Sequence, residues 1–173
     1  MSARLPSSAL AGLLLALGCA AQVLTVGPGG KNQISSLTEK QKATLLTALQ
    51  DATGEDRPDL LREYTVFPEP LAKQGPPAII AISSHMGANA DSSFLVFRQQ
   101  GDSDAPILES VAGDFDLGDS RHHGYLDIVL TNYQGVHWMV SVWQFDGQQY
   151  RVSKCTEKST DGTQKERPAS QCG

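Results

Sequence analysis

The stretch from Gly113 to Cys155 constrains the fold most strongly, because its side chains alternate in the way that β-strands require. It holds both tryptophans and three of the four histidines. Residues 124–133 predict a strand that is entered through glycine, Gln134-Gly135 predicts a turn, and a further strand begins near His137. We therefore expect β-structure here, with an acidic loop over residues 114–123 in front of it.

Asp146-Gly147 lies between two apolar runs and predicts a two-residue type I′ turn, since both residues tolerate positive φ. This turn places Phe145 opposite Gln148 and Trp143 opposite Tyr150. The hairpin completes a meander of three strands, the smallest sheet expected to hold together alone.

The upstream half predicts one helix followed by strands. Thr38 and Gln41 have the spacing of a capping box, Leu45 and Leu49 form an apolar stripe, and Gly54 is a helix stop. Strands are predicted at 63–67, 78–82, 94–97 and 107–108, with 78–82 central because it is apolar on both faces. The predicted fold class is α+β: one N-terminal amphipathic helix packed on a mainly antiparallel meander sheet of six or seven strands.

The domain organisation follows from composition. Residues 1–21 predict an export signal, with Arg4 ahead of an apolar core. Residues 22–36 predict a linker, 37–155 a single globular domain and 156–173 a loose polar tail. Two processing routes stay open: cleavage before Gln22, or a lipoprotein box with Gly18 directly before Cys19, which would then carry lipid.

The cysteines fit an exported protein, either periplasmic or secreted. Once Cys19 is removed or lipidated, Cys155 and Cys172 are left, and two cysteines in an oxidising compartment predict a disulfide. Two free thiols are the alternative.

The charge balance excludes some partners. Fourteen basic side chains face 19 acidic ones, a formal net charge of −5, which becomes −6 without Arg4. An acidic chain disfavours nucleic acid and anionic membrane surfaces. Contact with a membrane is expected only through a lipid anchor on Cys19.

One segment resembles a known family. Asp114-Phe-Asp116, Gly124-Tyr-Leu-Asp-Ile-Val-Leu130 and Trp143-Gln-Phe145-Asp-Gly147 resemble the FG-GAP or VCBS type of repeat. The resemblance covers one blade and implies a four-stranded unit of an adhesion-type propeller, in which the acidic loop often binds calcium. Ser120–His123 separate Asp119 from Gly124 and break the family's ligand spacing. The chain also resembles small exported bacterial proteins of unknown function.

The candidate site residues form a binding surface rather than a catalytic centre. We expect loops carrying Asp114, Asp116, Asp119, His122, His123 and His85 to bind an envelope protein or a glycan. No cofactor is expected, with calcium on the aspartates as the alternative. Zinc is disfavoured, because the spacing of the histidines matches no ligand pattern.

An enzyme is the alternative function. The chain contains no G-x-S-x-G elbow and no cysteine in a reactive setting. We therefore expect a non-catalytic binding module of the cell envelope, and keep a hydrolase or metal-dependent enzyme with an unrecognised site as the second hypothesis.

Overall fold

The fold, seen in a computed structural model that describes residues 33–83, 91–98 and 106–172, consists of one helix and two antiparallel sheets. The helix, α1, spans Glu39–Thr53. The first sheet contains β1 (Tyr64–Glu69), β2 (Ala78–Ser83), β3 (Ser92–Phe97) and β4 (Leu108–Ala112) in that order. The second sheet contains β5 (Asp114–His122), β6 (Tyr125–Gln134), β7 (His137–Phe145), β8 (Tyr150–Ser159) and β9 (Gln164–Arg167), also in chain order.

The single meander sheet of six or seven strands is therefore wrong, although the mainly antiparallel pairing is confirmed. The chain changes sheets at Gly113, the only residue between β4 and β5. Its backbone N–H donates to the Thr131 carbonyl at 2.8 Å. A Cβ atom here would lie 2.7 Å from a ring carbon of Tyr133, so only glycine lets the backbone and that ring approach so closely.

The helix has the predicted ends. Thr38 and Gln41 form the capping box, and Gly54 closes the helix in the left-handed conformation with φ 72°. Leu45, Ala48 and Leu49 belong to one hydrophobic cluster with side chains of β1, β2 and β3, such as Ile79 and Leu95.

The main core joins the two sheets. Ile80, Phe94 and Val96 of the first sheet share a hydrophobic cluster with Phe115 and Ile128 of the second. Because β2 contributes alternate residues to this cluster and to that of the helix, both of its faces are buried. Its predicted central position is confirmed, since it pairs with β1 and β3.

Two local predictions in the second sheet are wrong. Residues 114–122 form strand β5 rather than an acidic loop, because Phe115 and Leu117 face the core between outward aspartates. The β7–β8 loop holds four residues, so Phe145 pairs with Tyr150 and Trp143 with Val152. The Asp146 carboxylate fixes this loop by accepting the N–H groups of Gln148 and Gln149 at 2.8 and 2.9 Å. The shift is two residues as far as Trp143, which keeps Trp143 and Val152 on one face. A bulge between Val142 and Trp143 makes it three residues beyond that point, so Val142 pairs with Lys154 and Val140 with Thr156.

The C-terminal segment is ordered where a loose tail was predicted. β8 continues to Ser159, β9 pairs with it, and a short 3-10 helix spans Ala169–Gln171. The predicted disulfide joins Cys155 and Cys172, with 5.7 Å between their Cα atoms. At the other end, the predicted linker closes with a short 3-10 helix, Ile34–Ser36, and Gln33 N–H donates to the Val66 carbonyl at 2.7 Å.

Candidate binding surface

The second sheet has an outer face, defined as the face turned away from the first sheet, with an apolar centre. Val129, Val140 and Val142 lie there on neighbouring strands, and each is partly exposed. Trp138 lies beside them and pairs across the strands with Tyr133. Neither of the hydrophobic clusters that the described residues form includes these side chains. Partly exposed apolar side chains that adjoin one another on a sheet face form a candidate interaction site.

The charges on the outer face are separated. The strand register places Asp116, Val129, Val142 and Lys154 in one row across four strands. At about 4.8 Å between strands, the acidic and basic ends of this row are about 14 Å apart. Asp114 and Asp116 make the β5 margin acidic, and Lys154 and Lys158 make the β8 margin basic.

A shallow groove of about 310 Å³ lies at the basic margin of the outer face. Val140 and Val142 line it together with Lys154, Thr156 and Lys158. Glu166 of β9 lies 3.5 Å from the Lys154 ammonium in an exposed ion pair, which is a weak interaction. The groove thus combines an apolar floor with lysines that a partner's carboxylates can reach.

At the acidic margin, the surroundings of Asp116 disfavour its negative charge. Burial and the neighbouring charge of Asp114 raise the pKa of Asp116, and its Oδ1 atom is buried without a hydrogen-bond partner among the described residues. Tyr133 donates its hydroxyl proton to Asp114, and this bond, together with burial, raises the pKa of Tyr133 to about 12. Asp114 thus accepts a hydrogen bond, whereas Oδ1 of Asp116 accepts none from the described residues.

We expect Asp116→Asn to stabilise the fold at pH 7 by less than about 1 kcal/mol, because it removes a negative charge that partial burial and the neighbouring Asp114 disfavour. A raised folded-state pKa destabilises above the ordinary carboxyl range, so the gain should vanish as the pH falls below about 4. Urea unfolding at pH 7 and pH 3 measures the difference. Asp119→Asn, at an exposed position of the same strand, is the control, and an equal gain from it would contradict this account.

The β5–β6 hairpin end gathers the predicted histidines. His122 Nδ1 lies 2.6 Å from Asp127 Oδ1, and the Gln144 side-chain amide donates to Asp127 Oδ2 at 3.4 Å. Asp127 is only 4% exposed, whereas 42% of the His122 side chain is accessible. The buried carboxylate therefore orients an accessible imidazole.

His123 and Gly124 form the turn between β5 and β6, with φ of 47° and 84°. Two consecutive positive φ values are what a type I′ turn requires, so this turn type occurs here instead of at Asp146-Gly147. Gly147 nevertheless lies close, since a Cβ atom built on it would be 3.9 Å from His123 Nδ1. The two loops therefore meet at one end of the sheet.

The predicted site residues thus fall into two groups. Asp114 and Asp116 lie on the outer face, while His122 and His123 lie at the hairpin end, with Asp119 exposed in the irregular part of β5. His85 lies outside the described residues. No group of three or more histidine, cysteine, aspartate or glutamate side chains in the described ranges is arranged to hold a metal ion.

The sequence analysis did not predict that the apolar centre and the basic margin form one binding surface. The signal was present: Trp138, Val140 and Val142 alternate along β7, and Lys154, Thr156 and Lys158 alternate along β8. The incorrect hairpin register placed Arg151, Ser153 and Cys155 opposite β7, which concealed the lysines.

Comparison of the chain with family models, with curated proteins and with solved structures gave no match. Among the residues that the structure describes, no helix has both the length and the apolar character needed to cross a membrane.

Proposed function

We propose that this protein is an exported, non-catalytic binding module of the cell envelope that recognises a protein partner through the outer face of the second sheet. The observation that carries the proposal is the row Asp116, Val129, Val142 and Lys154, which places an accessible apolar centre between opposite charges. The partner is a protein with an apolar patch, flanked by a basic group over Asp116 and an acidic group over Lys154.

This charge pattern supplies specificity. A partner docked in the reverse orientation would bring like charges together at both margins, and such contacts cost several kcal/mol. The apolar centre supplies affinity through its burial. Five strands at about 4.8 Å and some six residues of overlap give a face of roughly 400 Å², which is about half of a standard interface per partner. The contact therefore extends beyond the sheet.

Export is supported by the disulfide and by the N-terminal pattern. The Cys155–Cys172 bond is of the kind that persists in oxidising compartments. The apolar segment after Arg4 supplies the export signal, with either cleavage before Gln22 or lipidation of Cys19. The resemblance of the β5–β6 region to FG-GAP-type repeats of adhesion proteins agrees with a role in recognition.

The test is crosslinked affinity capture from the native envelope, with three baits of the exported chain. The outer-face variant carries Val142→Lys and Lys154→Glu, which removes apolar surface and reverses one charge. The hairpin-end control carries His123→Ala and Asp119→Ala at exposed positions. The wild-type chain and the control should recover the same specific partner, and the outer-face variant should recover at least tenfold less. Equal recovery by all three baits would contradict the proposal.

The His122–Asp127 pair favours a second candidate function, a hydrolase that uses His122 as a general base. A buried carboxylate that orients an accessible imidazole is the arrangement such a base needs. Turnover of ester and amide substrates that His122→Ala abolishes and His123→Ala retains would establish this alternative. Loss of partner capture through the outer face alone would favour the binding module.

A further inference from the structure

A half-open cavity of about 330 Å³ lies on the other side of the second sheet, next to the disulfide. It lies at the end of the inner face nearest the β6–β7 turn. Side chains of β4, β6 and β7 line it, and Gln171 and Cys172 close one side. Its volume is at the lower limit of ligand sites, which suits a ligand of about one or two sugar rings.

Along β6, the side chains on the inner face change from apolar to polar where the cavity opens to solvent. Alternate residues of β6 point to this face, and they run from Ile128 and Leu130, both fully buried, to Asn132 and Gln134. Asn132 is half-buried and Gln134 is exposed, so these carboxamides lie where the inner face reaches solvent. They bring hydrogen-bonding groups to the cavity that they line.

The polar side chains that line the cavity are free to hydrogen-bond to a ligand. Ser110 adds a hydroxyl from β4 and Gln171 a third carboxamide. Neither these two side chains nor those of Asn132 and Gln134 hydrogen-bond to any residue that the structure describes. Carboxamides both donate and accept, as sugar hydroxyls do, so the two sets of groups are matched.

The apolar wall is fixed. Trp143 lines the cavity, and its indole N–H donates to Ser141 Oγ at 2.8 Å. Met139 lies on the same face of β7 and also lines the cavity. Trp143 is 9% exposed and belongs to the core between the sheets, so it offers the cavity a fixed apolar edge that need not be ordered on binding.

We propose that this cavity binds a neutral saccharide unit, with Asn132, Gln134 and Gln171 as hydrogen-bonding groups and Trp143 as the apolar wall. Glu109 at the rim is the only ionisable side chain among the described residues that line the cavity, and its negative charge disfavours phosphate or carboxylate ligands. The site is distinct from the outer face, so it can operate whether or not that face binds a protein.

The test uses the full exported chain and a panel of glucose, N-acetylglucosamine and their β1,4-linked dimers. Saturation-transfer NMR should detect at least one of these sugars, and the side-chain amide signals of Asn132, Gln134 and Gln171 should shift on binding. Asn132→Leu with Gln134→Leu should weaken binding at least tenfold. Thr131→Val, an isosteric change on the outer face of the same strand, should leave it unchanged.

Two results would overturn the proposal. One is no transfer from any sugar at about 10 mM, roughly the weakest affinity worth detecting; the other is binding that shifts none of the three amides. The amide shifts are read on the wild-type protein, so the outcome does not depend on the folding of the leucine variant. Partner capture by the outer-face variants is a separate readout, so failure of either proposal is recognisable by itself.

Discussion

Replacing Phe115 by alanine is expected to lower the free energy of unfolding by about 3–5 kcal/mol, the largest effect of any change considered for this protein. Phe115 is 2% exposed and stacks on Phe94, with 5.4 Å between ring centroids. Phe115 belongs to the second sheet and Phe94 to the first. The truncation therefore leaves a cavity between the two sheets.

Urea unfolding of Phe115→Ala, Phe94→Ala and the double variant measures the effect and its coupling. Across the ring pair we expect a coupling of about 0.5–1.5 kcal/mol. Val111→Ala, at a side chain that is 53% exposed, is the control and should change stability by less than about 0.5 kcal/mol. A loss below about 1 kcal/mol for Phe115→Ala would contradict the packing of the two sheets on one core.

Removing the disulfide is expected to cost about 3 kcal/mol, because it closes a loop with a sequence separation of 17. In a domain of this size that loss lowers the melting temperature by roughly 6–12 °C. Thermal unfolding with and without a thiol reductant measures the shift. The matched variant with both Cys155→Ala and Cys172→Ala should melt at the lower temperature and ignore the reductant.

The disulfide also holds the last strand. Cys155 pairs with Arg167 in the β8–β9 register, and Arg167 forms an ion pair with Glu157 that lowers the pKa of this carboxyl. Faster amide hydrogen exchange over Gln164–Arg167 is therefore expected in the cysteine-free variant, since a four-residue edge strand has little else to hold it. An unchanged melting temperature and unchanged exchange would show that β9 is stable without the bond.

Features that depend on local chemistry could be predicted from the sequence. The capping box of Thr38 and Gln41 and the stop at Gly54 fix the ends of the helix through their own hydrogen bonds and backbone conformation. The strand over residues 78–82 follows from its apolar residues on both faces. The disulfide follows from the two cysteines that are left once Cys19 is assigned to a predicted export signal.

Features that depend on which strands meet could not be predicted in this way. Alternation gives the faces of a strand but not its neighbours, so the division at Gly113 left no signal in the periodicity. The register of the β7–β8 hairpin depends on Asp146 holding a four-residue loop and on the bulge between Val142 and Trp143. Asp-Gly is equally compatible with a shorter turn, and alternation alone does not predict the bulge. Because the register sets the rows across the sheet, the error concealed the outer face as a site.

The candidate site was predicted only in part, again because it depends on which strands pair. Asp114 and Asp116 do lie on an accessible surface, but as outward residues of a strand rather than members of a loop. His122 was predicted to lie in a binding loop, whereas it ends strand β5 and contacts Asp127 on the next strand. A pairing between strands of this kind becomes visible only once the register is known.

The ratio of partner recovered by the outer-face bait to that recovered by the hairpin-end bait tests the central claim most directly. The two baits differ only in which surface is changed, and both keep the core and the disulfide. The account predicts a ratio of roughly one tenth or less, in line with the loss of about 1.4 kcal/mol or more of binding free energy. A ratio near one, or one in which the hairpin-end bait loses the partner, would show that recognition does not use the outer face.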